Sequence, residues 1–166
     1  MNTSLLKIKR SSFESFDDKT LAWTCIEPII EKIRGKNLSL KSHVYAQLTT
    51  GQQSLLYFWI VYGHAQHGIL HFFKEVDFIL SDTNSWNEMR NAFSHLGTND
   101  LLNLIEKIEN AYDFYIPNKD NFSSDFLLLI KNLDNAYSKI IPNALKQISN
   151  YIRNNPNEFV SFTNEK

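Results

Sequence analysis

Gln53-Ser-Leu-Leu-Tyr-Phe-Trp-Ile-Val-Tyr62 is the most apolar stretch of the chain, and Gly63-His-Ala-Gln-His-Gly-Ile-Leu-His-Phe-Phe73 follows it directly. The first segment is apolar on nearly every face, which is typical of a buried helix rather than of a surface helix with one apolar stripe. Histidines and glycines collect where this helix ends. The stretch therefore predicts a buried central helix followed by a turn at which we expect a site.

Amphipathic patterns on both sides of this stretch predict further helices. Residues 14–34 have apolar side chains at helical spacing, with Pro28 as a break or kink. Thr50–Gln53 and Ser85–Glu88 both have the spacing of a capping box, in which two side chains satisfy free amides at a helix start. Residues 114–122 are typical of a loop.

The two ends of the chain have weaker patterns. Residues 1–13 alternate between apolar and charged side chains, which predicts an arm, with a short strand as the alternative. No strand is predicted after residue 13, and Pro142 predicts the start or kink of a last helix. We predict an all-α, single-domain bundle of about six or seven helices around the buried central one. The domain is expected to span 14–162, followed by a tail of 163–166.

Composition excludes several classes of protein. The formal net charge of -1 gives no overall basic field, so direct nucleic-acid binding is not expected. A single cysteine, Cys25, excludes an intramolecular disulfide and any paired-cysteine metal motif. Residues 1–10 lack the apolar core of a signal peptide, and the longest apolar run, Leu55 to Tyr62, is too short to cross a membrane. We therefore expect a cytoplasmic protein with no membrane partner.

Motifs for catalysis are absent from the sequence. It contains no glycine-rich phosphate loop, no Gly-x-Ser-x-Gly turn and no paired catalytic carboxylates. Cys25 lies in an apolar stretch without a neighbour that would activate a thiol, so burial is expected. These features favour binding over catalysis, and they predict no cofactor.

The turn after the apolar helix contains the sharpest candidate residues. In an unbroken helix His67 and His71 would share one face, which is a workable arrangement for zinc. The alternative is that Gly68 interrupts the helix and that the side chains line a turn. The candidate interaction residues here are His64, Gln66, His67, Gly68 and His71. The alternative function is a metal-binding helical domain, such as a hydrolase, with the ligands His64, His67, His71 and His95.

Three acidic residues form a second candidate surface. Glu106, Glu109 and Asp113 are spaced i, i+3, i+7, which puts them in one row along a helix over residues 99–113. The row spans about 10 Å, comparable to a few phosphates along a DNA strand. The alternative is an ordinary solvated helix face, and Lys107 lies beside the row.

Short motifs also occur in a distinctive order. They are Leu48-Thr49 with Gln52 or Gln53 and Tyr57, then Gly68 with Phe72-Phe73, then Ala92 with Leu96-Gly97, and lastly Tyr151-Ile-Arg-Asn-Asn-Pro-Asn-Glu-Phe159. In this order the chain resembles the DNA-mimic-protein-like family, a bacterial family of helical domains. One motif differs, since the family's Asn-Asn-Gly-Gly-Phe-x-Gln is replaced here by Ala65-Gln-His-Gly-Ile-Leu-His71.

The resemblance implies a helical fold and, for some members, a protein-binding role in which surface carboxylates imitate DNA. We therefore expect a non-enzymatic domain that binds another protein through the turn at 63–71 or through the acidic helix face. Two variants fit this expectation: an inhibitor of a DNA-binding protein, and an immunity-type partner of a toxin. Association into a homodimer is a further expectation.

Overall fold

A computed structural model describes residues 5–119 and 121–163. Helices account for most of this part of the chain, which confirms the all-α prediction. Two single 3₁₀ turns, Ile116–Asn118 and Pro156–Glu158, follow the last two long helices. In chain order the elements are β1 (Leu6–Lys9), α1 (Arg10–Ser15), α2 (Asp18–Ile33), α3 (Leu38–Tyr45), α4 (Thr50–Ala65), α5 (Ile69–Leu80), α6 (Thr83–His95), α7 (Asn99–Tyr115), α8 (Ser124–Asn154) and β2 (Val160–Thr163).

Five long helices pack around one apolar core. Helix α4 lies against α2 and α6, α7 lies against α6 and α8, and α8 returns to α2, so the packing closes on itself. Helix α5 contacts α4, α6, α7 and α8. Its Phe72 and Phe73 are completely buried. Burial of large aromatic side chains is a dominant stabilising term in such a core.

Helix α4 has two different long faces. Leu55, Phe58 and Val61 point into the core and are completely buried. On the opposite side Trp59 and Ile60 are only half-buried. The predicted central helix is therefore buried along its inner face, while its outer face lines a cleft.

The first turn of α4 is held by a capping box. The hydroxyl of Thr49 accepts the Gln52 N–H at 3.1 Å, and the Gln52 side chain accepts the Thr49 N–H at 3.1 Å. The sequence pattern predicts this capping box one residue later, at Thr50 and Gln53. Because two threonines and two glutamines are adjacent, both pairs have capping-box spacing, and the sequence alone does not show which pair forms the box. Helix α6 likewise begins before the predicted Ser85, with Asp82 as its cap.

Glu158, from the end of the chain, closes the same helix start. One oxygen of its carboxylate accepts the Gly51 N–H at 2.7 Å, and the other accepts the Tyr151 hydroxyl at 2.7 Å. The Thr49 hydroxyl donates to the Glu158 carbonyl at 2.6 Å. A carboxylate at a helix N-terminus is stabilised by the free amides and by the helix dipole. This joint (Thr49, Gly51, Tyr151, Glu158 and the buried Phe159) anchors the C-terminal segment to α4.

The chain ends pair in a two-stranded parallel sheet. Leu6 lies opposite Val160 and Ile8 opposite Phe162. Residues 6–9 thus form the short strand that was the alternative to an arm. The prediction of no strand after residue 13 is wrong, because a strand of four residues with a distant partner leaves little periodicity to detect. Of the predicted tail, 163–166, Thr163 ends β2 and the remainder lies outside the described residues.

Two prolines lie inside helices that continue past them. Pro142 is within α8 and Pro28 within α2. The prediction left a start or a kink open at Pro142; a start is wrong, because α8 runs from Ser124 to Asn154. Pro142 and Ser138 lie on the exposed side of α8, while Tyr137 and Ala144 pack into the core on either side of the proline. Helix α7 also extends to Tyr115, into the predicted loop.

Replacement of Gly51 by alanine tests the joint. An added Cβ would lie 2.6 Å from a Glu158 carboxylate oxygen and 2.6 Å from the Phe159 ring. We expect Gly51→Ala to lower the free energy of unfolding by about 1–3 kcal/mol in urea titrations, because the buried ring cannot retreat. Gly63→Ala is the matched control in the same helix, where a Cβ meets nothing within 4 Å. It should raise the stability by about 0.5–1 kcal/mol. Equal effects of the two variants would contradict this account of the joint.

Candidate functional site

The turn between α4 and α5 has the shape expected from its glycine. Gly68 has a φ of 106°, a conformation that other residues rarely adopt, and it interrupts the helix between Ala65 and Ile69. The Asp134 carboxylate, from α8, accepts the Ile69 N–H at 2.7 Å. Because Gly68 has no side chain, Asp134 acts as the cap of α5 from a distant helix. The exposed residues of the turn are Gln66 and His67.

Three histidines lie around this turn without forming a metal site. The rings of His67 and His71 are 5.3 Å apart, edge to face. Burial lowers the pKa of His64, and the Glu75 carboxylate opposes that shift only in part. Within residues 5–119 and 121–163, no group of three His, Cys, Asp or Glu side chains is arranged to hold a metal ion. The alternative function, a metal-binding domain such as a hydrolase that uses these ligands, is therefore not supported.

His95, the fourth residue of that set, lies at the joint instead. Its Nε2 is 2.8 Å from the Tyr151 hydroxyl and 3.4 Å from a carboxylate oxygen of Glu158. Burial, together with the hydrogen bond to Glu158, raises the pKa of Tyr151, so this hydroxyl stays protonated and donates. His95 thus belongs to the contacts that hold the C-terminal segment and is separate from the turn.

The acidic row on α7 contains fewer free charges than its spacing predicts. Glu106 and Asp113 are exposed, and neither has an ion-pair partner in the described part of the chain. Glu109 is half-buried and forms an ion pair with Arg90 of α6. A carboxylate paired with an arginine presents little negative charge to another molecule. The row is therefore two free carboxylates separated by two helical turns, with a neutralised one between them.

The single cysteine is buried in α2. Its side chain is 2% exposed, and burial raises the pKa of the Cys25 thiol to about 12. A thiol with such a pKa remains protonated at neutral pH and is a poor nucleophile. The expectation that Cys25 is buried is confirmed.

A large apolar cleft lies on the outer side of α4, between α2, α3 and the second half of α5. Its volume is about 990 Å³. Half-buried aromatic residues form its floor, where the Trp23 and Trp59 rings meet edge to face at 5.1 Å. The buried Trp59 Nε1 has no hydrogen-bond acceptor among the residues that the structure describes. Leu38 and Phe78, at the cleft, are 76% and 69% exposed.

Sequence reasoning missed this cleft because it predicted that α4 is a buried central helix. One signal was available: a helix that is apolar nearly all round must either be covered on every side or present a bare face. Helix α3 (Leu38–Tyr45), which covers part of that face, was not predicted, and it has no buried residues of its own.

None of the helices within residues 5–119 and 121–163 combines the length and the apolarity that crossing a membrane requires. Other exposed apolar side chains lie near the end of α7 and the start of α8. They are Phe114, Ile116, Leu127, Leu128 and Leu129.

The lowered pKa of His64 predicts a pH dependence of stability. Since burial disfavours the charged imidazole, the unfolded chain binds a proton more readily, and stability falls as pH drops below the unfolded value of about 6.5. We expect His64→Gln to reduce the loss in thermal midpoint between about pH 7.5 and pH 5.5. His43→Gln, at an exposed position of α3 that is not among the groups acting on His64, provides the control and should lose stability as the unmodified chain does. A loss in His64→Gln as large as in the unmodified chain would refute the assignment.

Comparison with known proteins identifies a family. The model of the DMP19-like protein family matches residues 46–155, from the end of α3 to just past the end of α8. No curated protein sequence matches the chain significantly. No solved structure does so either. The matched segment includes the capping box at Thr49, the turn at Gly68 and the four helices that follow it, α5 to α8. On this evidence the chain belongs to the DMP19-like family, the family of DNA mimic protein 19.

Proposed function

We propose that this chain is a non-enzymatic domain that binds a DNA-binding protein and inhibits it by occupying its DNA site. The observation that carries the proposal is the family match over residues 46–155. A DNA mimic acts by presenting carboxylates where a basic protein surface expects phosphates. It needs no catalytic group and no cofactor.

The outer face of α7 is the surface that we assign to this role. Glu106 and Asp113 point to solvent there, and two helical turns separate them by about 10 Å. The exposed Phe114 follows Asp113 and adds an apolar contact beside the charge. Interfaces commonly combine an apolar anchor with a charged rim, and the charges mainly provide orientation and speed of association.

The turn at 66–68 is a weaker second surface. Gln66 and His67 are exposed, but the backbone there is fixed by Gly68 and by the Asp134 cap. These contacts hold α5 against α8, so much of the turn serves the fold. We therefore place the principal contact on α7.

Competition with DNA provides the test. The tagged chain is used to capture partners from a nuclease-treated lysate of cells that naturally contain it, and short duplex DNA is used to elute them. The proposal expects a stoichiometric partner that DNA displaces, and whose purified form loses DNA in gel-shift assays when this chain is added. Because exposed charges are screened by salt, binding should weaken as ionic strength rises.

A matched pair of variants locates the surface. Glu106→Lys/Asp113→Lys should weaken binding of the purified partner at least about tenfold, or about 1.4 kcal/mol, because it places like charges against a basic site. Glu27→Lys/Glu31→Lys makes the same change in net charge on α2 and should bind normally. A partner that DNA does not displace, such as a toxin held by its immunity protein, would refute DNA mimicry. Equal weakening by both pairs would refute the assignment to α7.

A further inference from the structure

The cleft beside α4 is long and follows helix α2. Lys19, Trp23, Ile30 and Arg34 all line it, and all belong to α2 or its C-terminal cap. Lys19 and Arg34 are fifteen positions apart, which corresponds to about 22 Å along the helix axis. The cleft therefore offers an extended apolar track rather than a round cavity.

The walls of this track are apolar and aromatic. Ile30 and Ile33 of α2 lie on one side, and Trp59, Ile60 and Tyr62 of α4 lie on the other. A volume of about 990 Å³ is at the upper end of the range for small-molecule sites. Such sites typically combine mostly apolar walls with a few polar groups that fix the orientation of the ligand.

Charge at the cleft has one sign. The lining includes Lys19, Arg34 and Lys41 and, among the described residues, no aspartate or glutamate. The ammonium of Lys19 lies over the Tyr62 ring, 5.6 Å from its centre. Arg34 and Lys41, at the end where α2 meets α3, have no ion-pair partner within 5–119 and 121–163. Lys19 likewise has no ion-pair partner in that part of the chain, so three unpaired cations lie beside a long apolar surface, two of them at the same end.

We propose that this cleft binds one long-chain carboxylate, with the head group paired to Arg34 and Lys41 and the tail along α2 against Trp59. An anion is favoured because every charged residue that lines the cleft is positive, and Arg34 and Lys41 place two of the three at one end. A single amphiphile is favoured over a protein helix because the aromatic floor is recessed between side chains of three helices. The exposed Leu38 and Phe78 would then lie over the tail and lose water. This site is separate from the acidic face of α7 and does not depend on the proposed function.

Tryptophan fluorescence tests the proposal directly. Two of the three tryptophans, Trp23 and Trp59, line the cleft, whereas Trp86 is buried beside Tyr112. The probe is laurate, added below its micelle concentration to the full chain. We expect a saturable change with one equivalent bound. Dodecylamine has a similar tail and a positive head, and it should bind at least about tenfold more weakly, or about 1.4 kcal/mol.

Charge reversal tests the head-group position. Arg34→Glu/Lys41→Glu should weaken laurate at least about tenfold and remove the preference over dodecylamine. Lys131→Glu/Lys139→Glu makes the same change in net charge on exposed positions of α8, outside the cleft lining, and should bind laurate normally. Circular dichroism establishes that each variant keeps its helices.

Several results would overturn the proposal. These are the absence of a saturable change, equal affinity for laurate and dodecylamine, and equal weakening by the two double variants. Light scattering measures the oligomeric state and so tests whether a second copy of the chain occupies the cleft. A dimer that laurate does not dissociate, but that Arg34→Glu/Lys41→Glu does, would assign the cleft to self-association. Binding of a designed helix of leucine and glutamate, without binding of laurate, would assign it to a protein partner.

Discussion

The carboxylate of Glu158 at the start of α4 is the contact on which the arrangement of the other helices depends. One oxygen accepts the Gly51 amide and the other accepts the Tyr151 hydroxyl, so both find donors in a partly buried place. Without such donors, the free energy needed to remove the carboxylate from water would exceed the stabilisation that the contact provides. Since α4 packs against α2, α5 and α6, holding its first turn in place also helps to position those three helices. The same contact holds the segment that forms β2.

The local part of the fold could be predicted from sequence, because helices are specified by their own periodicity and caps. The interruption of the helix at Gly68, one of the two alternatives for that turn, is present, and the predicted capping box of α4 lies one residue earlier than expected. The features that could not be predicted depend on residues distant in sequence. For example, the chain stays helical at Pro142 because core packing on both sides of the proline outweighs the loss of one backbone hydrogen bond. The recurring motif residues of the resemblance, Thr49 and Phe159 among them, prove to be parts of the joint.

The candidate site was predicted less well for the same reason. The histidine spacing implies a shared face only in an unbroken helix, and Gly68 removes that condition. Spacing on α7 correctly aligned three carboxylates, but it could not show that Arg90, from another helix, neutralises Glu109. The cleft depends on how α2, α3 and α4 are placed relative to one another, so the pattern of no single sequence segment predicts it. Its cations are scattered along the sequence and become neighbours of one apolar surface only in the fold.

The pairing of β1 with β2 has a consequence for how the chain is made. Ribosomes synthesise proteins from the N-terminus, and folding usually begins before synthesis ends. Here Leu6–Lys9 precede all the helices that the structure describes, and their strand partner Val160–Thr163 is synthesised only after α8. Glu158 reaches the start of α4 in the same late step. A nascent chain that stops short of residues 158–163 leaves β1 without its strand partner and the Gly51 amide without its acceptor, so residues made after α8 secure contacts of residues made before it.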